Sequence, residues 1–504
     1  MNPHTDAQPD LVETAVQKAN HARRWWILAV LGIAQLMVIL DITIVNIALP
    51  TAQHDLGFSN ADRQWIVTAY ALAFGSLLLL GGRIGDIFGR KRTLIVGLVG
   101  FAGASAIGGA SVNFTMLVIA RTIQGSFGAL LAPSVLALLA STFTDPRERG
   151  KAFAIYGGIA GGGGAIGLLL GGILTSYASW RWTLFINLAF AAIALTGALL
   201  WLKNDKAADH DPLDVPGVLL VSGGLFCIVF GLSHAETTAW SSPYTIGLLI
   251  LGVALLAIFA WLETRVEFPL LPLRVVQNRT RGGSMLAMLF STVGLFGMFL
   301  FLTYYLQGTL GFSPVDTGFA FLPMVALMVG MAQVSIRVLL PRFGPKTILP
   351  IGMCINAVAI YLLHFVGLHS SYTGHILPCL LLLGLGFGTG FAPAFSTGTL
   401  GLQPHDVGVG SATLNTSQQV GGSIGTALLN TVAAGAAASY LLGRAATKAN
   451  LKVALLHSYT TVFELSSLVF LAGAVVAGFV LQRGTIGTLT SLGQDDIDQQ
   501  LAST

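Results

Sequence analysis

Long apolar runs separated by short polar breaks set the pattern of this chain. A helix needs roughly 20 apolar residues to cross a hydrocarbon layer about 30 Å thick, because it rises 1.5 Å per residue. On that measure the runs 26–49, 64–82, 93–111, 115–139, 152–175, 182–202, 214–233, 243–262, 282–306, 316–337, 347–368, 374–396, 407–437 and 459–482 predict fourteen spanning helices. Residues 347–405 hold no Asp, Glu, Lys or Arg. That stretch is far too long for one crossing, so the break is placed at His369-Ser370-Ser371, and Val112-Asn113-Phe114 divides the third run from the fourth in the same way. An even number of crossings puts both ends on one side.

Composition explains why these runs belong in lipid. Of 504 residues, 54% are apolar and 10% charged, against about 25% charged in soluble domains. So little charge cannot cover a water-facing surface, and the expected class is an all-α integral membrane protein of the cell membrane, plasma or bacterial inner. The net charge of +4 is small and dispersed, which argues against a nucleic-acid partner. Twenty of the 26 Lys and Arg fall in alternate loops and the tails when the N-terminus is cytoplasmic; by the positive-inside bias, both termini are then cytoplasmic. Residues 1–25 are polar and lack an apolar core with a cleavage site, so no secretory leader is expected. Cys227, Cys354 and Cys379 have no metal-ligand spacing, and His364, His369 and His375 make a poor cluster. No metal is expected.

A short internal echo suggests a repeat. Phe88-Gly89-Arg90-Lys91 follows the second run, and Phe343-Gly344-Pro345-Lys346 follows the tenth. The two loops become equivalent if runs seven and eight form a helix pair inserted between two six-helix repeats. The expected organisation is an N-terminal tail (1–25), a six-helix bundle (26–202), a linker with helices seven and eight (203–263), a second six-helix bundle with its leading loop (264–482) and a C-terminal tail (483–504).

Charge within a span costs at least a few kcal/mol and needs a reason. Three residues stand out: Asp41, Arg121 and Glu464. Asp41 lies about fifteen residues into the first run, too deep to reach the interface at 1.5 Å per residue, so it faces a cavity or a partner. A carboxyl there can take up and release a proton, or serve as a structural acid held by neighbouring helices. Arg121, with Gln124, Gly125 and Gly128 near its face, could hold a carboxylate, relay a change in protonation or brace the bundle. Glu464 lies nearer the outer end of the last run, where it either snorkels or takes part in coupling.

Several motifs carry a family resemblance. Leu40-Asp41-Ile42-Thr43-Ile44-Val45-Asn46-Ile47-Ala48-Leu49-Pro50 resembles the signature of the fourteen-span drug/proton antiporter family of the major facilitator superfamily. Gly82 to Arg92 is similar to the loop motif of that superfamily, and Arg121 to Gly128 to the fourth-span motif of the family. Asp214-Val215-Pro216-Gly217 and Trp180-Arg181-Trp182 are similar as well. The resemblance runs from about Trp26 to Arg483. It implies major facilitator repeats, proton coupling through Asp41 and Arg121, and a conformational latch at Gly82, Asp86, Gly89, Arg90 and Lys91. Two departures stand out: Ile87 replaces the usual arginine, and Leu168 stands where the fifth-span motif has proline. Leu168 keeps the backbone N–H that proline removes, so a weaker kink is expected. Gly163, Gly167 and Gly171, with Gly172, still provide a smooth packing face.

Candidate cavity residues are Gln35, Asn46, Gln124, Tyr304, Gln307, Asn415 and Gln418, each equally suited to an interhelical hydrogen bond. The only Gly-Lys pair, Gly150-Lys151, lacks the flanking residues of a phosphate-binding loop. No direct nucleotide and no cofactor are therefore expected, and the proton gradient is the expected energy source. The expected function is export of small amphipathic drugs or antibiotics in exchange for protons, with no enzymatic activity. The alternatives are a proton-coupled transporter of another metabolite or of opposite direction, and a non-transporting receptor, which the short tails disfavour.

Overall fold

The computed structural model describes residues 8–58, 60–203, 214–237, 240–267, 269–402, 407–445 and 447–485. Among the described residues there are fourteen long helices: α1 (Gln8–Leu56), α2 (Asn60–Phe88), α3 (Arg90–Gly109), α4 (Phe114–Thr142), α5 (Pro146–Tyr177), α6 (Trp182–Trp201), α7 (Val215–Thr237) and α8 (Pro243–Leu262), then α9 (Arg279–Tyr304), α10 (Pro314–Val334), α11 (Pro345–Leu363), α12 (Leu377–Gly398), α13 (Val407–Leu441) and α14 (Lys448–Val480). Among the described residues, 12 helices are long and apolar enough to cross a membrane. α5 and α13, 32 and 35 residues long, coincide with the fifth and thirteenth apolar runs. No strand occurs among the described residues.

Helix ends follow local chemistry. Asn113 caps α4 by accepting from Met116 N, and Ser313 with Asp316 forms a capping box on α10. α1 begins well before its apolar run because Gln8–Asn20 extends the same helix. π-helical turns at Tyr305–Thr309, Ser335–Leu339 and Tyr372–Ile376 sit at the ends of α9, α10 and α12.

The helices pack as two sets with the same internal arrangement. In the first, α1 packs on α4, α5 and α6, α4 also packs on α2 and α3, and α3 packs on α6. In the second, α9 packs on α12, α13 and α14, α12 also packs on α10 and α11, and α11 packs on α14. The two echoed loops take equivalent places in these sets. Gly89 joins α2 to α3 at φ +93°, and Gly344 leads into α11 at φ +71°. Both are left-handed turns that a side chain would strain. α7 packs on α8, α2 and α13, so it lies across the seam between the sets.

The seam is closed most firmly at the end of the molecule bearing Arg90, Arg149 and Arg281, here called the basic end. Arg149 Nη2 donates to Thr399 O (3.0 Å) and Thr399 Oγ1 (3.2 Å), tying the start of α5 to the end of α12. Two turns further along α5, Tyr156 meets Phe395 edge-on at 5.7 Å, and Gly157 lies against Ala392. α4 packs on α13 and α5 on α12, whereas no comparable packing joins α1 or α2 to α9 or α10 among the described residues.

Close helix approach depends on missing side chains. A Cβ on Gly81 would overlap the Ala129 carbonyl of α4, while one on Gly103 would meet nothing within 4 Å. Gly81→Ala is therefore expected to lower the thermal midpoint of the purified protein, by overpacking worth about 1–3 kcal/mol. Gly103→Ala should leave the midpoint unchanged or raise it.

Candidate functional site

Five helices of the first set converge on one buried carboxylate. Asp41, on α1, is fully buried, and Arg121, on α4, is 1% exposed. Arg121 Nη1 donates to Asp41 Oδ2 at 2.5 Å. The other carboxylate oxygen, Oδ1, accepts from Gln124 Nε2 (2.7 Å) and Asn187 Nδ2 (2.8 Å). Ser105 of α3 supports both amides, its hydroxyl accepting from Gln124 Nε2 (2.5 Å) and Asn187 Nδ2 (3.0 Å). Arg121 Nη1 also donates to Gln124 Oε1 at 2.7 Å.

The guanidinium is held from its other side by α2. Its carbon lies 4.3 Å from the centre of the Tyr70 ring, and Nε points at the Ile66 carbonyl at 3.5 Å. Tyr70 reaches this position because Gly125 and Gly128 leave room for it: a Cβ at Gly125 would overlap the Tyr70 carbonyl, and one at Gly128 would lie 3.3 Å from the Tyr70 hydroxyl. A delocalised cation over an aromatic face is attracted by the ring quadrupole. Asp41 is thus satisfied on both oxygens. Such a pair tolerates burial only when its remaining hydrogen-bonding capacity is met in this way.

The glycine stripe of α5 sets the opposite wall of α1. A Cβ on Gly163 would meet Ile39 at 2.8 Å, one on Gly167 would overlap Thr43 Oγ1, and one on Gly171 would lie 3.2 Å from Ile44 Cα. These contacts bracket Asp41 on its own helix. Gly172 is buried beside them. The side chain of Leu168 lies outside the described residues. From its other side α5 packs on α10, with Gly158 against Val329 and Leu169 against Gly318, so one helix touches both the Asp41 segment and the second set.

The loop motif forms a compact turn. Asp86 Oδ1 accepts from Arg90 Nη2 at 3.2 Å across the Gly89 bend, and Lys91 Nζ donates to the Leu202 carbonyl at 2.6 Å, closing the last turn of α6. Gly82 is buried on the same end of α2.

Other expected site residues are scattered. Glu464 does not join Asp41; it lies on α14 with Oε2 3.8 Å from His364 Nδ1. Gln35 is buried on α1, and Asn415 donates to the Ser411 carbonyl of its own helix at 2.9 Å. Gln307 and Gln418 are half-buried, Tyr304 is 46% exposed and edge-on to Phe301, and the side chain of Asn46 lies outside the described residues. Gln124 belongs to the Asp41 cluster. Sequence reasoning missed Asn187, Ser105 and Tyr70. Asn187 carried a signal, being the only amide in the apolar run of α6; a serine in α3 or a tyrosine in α2 did not stand out from ordinary span residues.

Comparison with known proteins places this arrangement. Residues 31–426 match the Major Facilitator Superfamily, and the chain belongs to that family of membrane transporters. It is 46% identical over 485 residues to the puromycin resistance protein pur8 of Streptomyces alboniger, covering 95% of this chain and 96% of that protein. It is 35% identical to the tetracenomycin C resistance and export protein of Streptomyces glaucescens, over 86% of this chain and 80% of that one. The fold is similar to that of the human organic anion transporter MFSD10, with a TM-score of 0.63 at 16% identity, covering 90% of this chain and 99% of the other.

Removing one partner of a buried ion pair strands the other, at a cost of about 3–5 kcal/mol. Arg121→Leu should therefore destabilise the purified protein by about that amount, and the double variant Asp41→Leu with Arg121→Leu should recover most of the loss. A double-mutant cycle on chemical or thermal unfolding measures this. Asn187→Leu, which deletes one donor to Asp41, should cost about 1–3 kcal/mol.

Proposed function

We propose that this chain is a fourteen-span transporter that exports small amphipathic molecules of antibiotic type in exchange for protons, by alternating access. The observation that carries the reading is the fully buried Asp41, paired with Arg121 at the junction of five helices. The puromycin and tetracenomycin C proteins named above support the substrate class. Both termini and the basic end face the cytoplasm in this reading, and α7 with α8 form a pair inserted between two six-helix repeats.

Charge at Asp41 is the switch. Ionised, it holds Arg121, Gln124 and Asn187 together. A proton arriving from the side opposite the basic end neutralises it and removes the ionic attraction to Arg121, leaving the guanidinium to Tyr70 and the Ile66 carbonyl. The seating of α1 then changes where α5 grips it, at Ile39, Thr43 and Ile44. α5 passes that change to α10 and α12, across the seam that Arg149 and Thr399 close at the basic end. Substrate and proton act on the same equilibrium because each favours one arrangement of the sets. Asp86, Arg90 and Lys91, with Gly82 and Gly89, are the candidate latch at the basic end. Gln35, Gln307, Asn415 and Gln418 are the candidate substrate contacts, and no cofactor takes part.

Whole-cell accumulation of puromycin and cationic dyes tests this. Cells expressing the chain should exclude at least one of these compounds until an uncoupler is added, and Asp41→Asn, inserted at the same level, should lose exclusion. Exclusion by Asp41→Asn that still collapses with uncoupler would overturn the proposal. Uptake in place of exclusion would favour a transporter of opposite direction.

A further inference from the structure

A pair of carboxyls lies far along the chain from Asp41, at the basic end of α7 and α8. Asp214 immediately precedes α7, and Glu263 immediately follows α8. Both are buried, at 7% and 5% exposure. Each uses one oxygen structurally: Asp214 Oδ1 accepts from Gly217 N at 2.9 Å, and Glu263 Oε2 accepts from Leu271 N at 2.9 Å. The remaining oxygens, Asp214 Oδ2 and Glu263 Oε1, have no hydrogen-bond partner among the described residues. Both face the same point over Gly217. A Cβ there would overlap Asp214 Oδ2 and lie 3.0 Å from Glu263 Oε1.

Two buried carboxylates that face one point disfavour each other's charged form. Among the described residues, the other charged groups of the neighbouring segments are Arg265, Glu267 and Arg274 on the connection to α9, Lys203 on the segment leading towards α7, and Arg83 and Asp86 at the same end of α2, which packs on α7. Arg265 lies over the Trp261 ring at 5.4 Å, and Asp214 is the charged group that acts on Glu263. We propose that Asp214 and Glu263 form a second proton-binding site, in which one proton from the aqueous phase makes one of them a carboxylic acid that donates to the free oxygen of the other. Burial, with the nearby Asp214 charge, pushes Glu263 up to about 7, against the opposing pull of the Leu271 N–H.

Position gives the proton a consequence. Protonated, the pair closes α7 onto α8 and, through Leu271 N, onto the connection to the second set. Ionised, the two oxygens repel at the foot of α7, the helix that packs on both α2 and α13 across the seam. The site therefore makes the seating of α7 and α8 depend on pH at the basic end, independently of Asp41 and of any transport cycle.

Infrared titration of the full-length protein in lipid nanodiscs tests the site. Wild type should show a carboxylic acid C=O band that disappears as pH rises through about 7. The band should be lost in Glu263→Gln, should titrate at lower pH in Asp214→Asn, and should survive unchanged in Asp41→Asn. Stability should follow: the folded state holds a proton that the unfolded chain releases at the ordinary glutamate value of 4.5, so the thermal midpoint falls as pH rises from 4.5 towards 7. Glu263→Gln should remove that slope. Absence of a titrating band in wild type, or a band unchanged in both Glu263→Gln and Asp214→Asn, would overturn the proposal.

Discussion

Burying a charge at bilayer depth is the constraint around which the first helix set is organised. Asp41 and Arg121 are both removed from water, and each alone would be expensive there. The structure meets that cost with five helices at once: a salt bridge on one carboxylate oxygen, two amide donors on the other, a serine beneath the amides and an aromatic ring over the guanidinium. The glycines of α4 and α5 follow from the same requirement, because they let α2 and α5 approach closely enough to enclose the pair.

Enclosure also makes the pair consequential. α5 rests on α1 beside Asp41 and on α10 and α12 of the second set, so a change in how α1 is held reaches the seam through one continuous helix. The seam itself is asymmetric. α5 packs on α10 and α2 on α13 along it; Arg149, Tyr156 and Gly157 add contacts towards the basic end, and among the described residues α1 and α2 do not pack comparably on α9 and α10. A molecule built from two alike sets, closed at one end and less closed at the other, has the form that a rocking transporter needs.

Much of this was legible in the sequence, for physical reasons. Apolar runs marked helices because lipid leaves the backbone few other ways to satisfy its hydrogen bonds. The echo of Gly89 and Gly344 marked the repeat because both loops need a left-handed residue. Asp41 and Arg121 stood out singly because charge in such runs is rare. Their pairing did not, since it is set by how α1 and α4 cross. Asn187, Ser105 and Tyr70 were missed for a related reason: polar residues of these kinds occur in many spans, and only their convergence distinguishes them. Glu464 shows the converse, a charge grouped with Asp41 by rarity alone and found instead beside His364. The start of α1 was also missed, because the polar segment from Gln8 continues a membrane helix without any apolar signal.

In the proposed cycle Asp41 carries a proton that substrate binding displaces. Proton release from purified protein in weakly buffered detergent solution, on addition of an exported compound such as puromycin, tests it most directly. The account predicts a substrate-dependent release from wild type and none from Asp41→Asn at saturating compound. Equal release from the two proteins would contradict it.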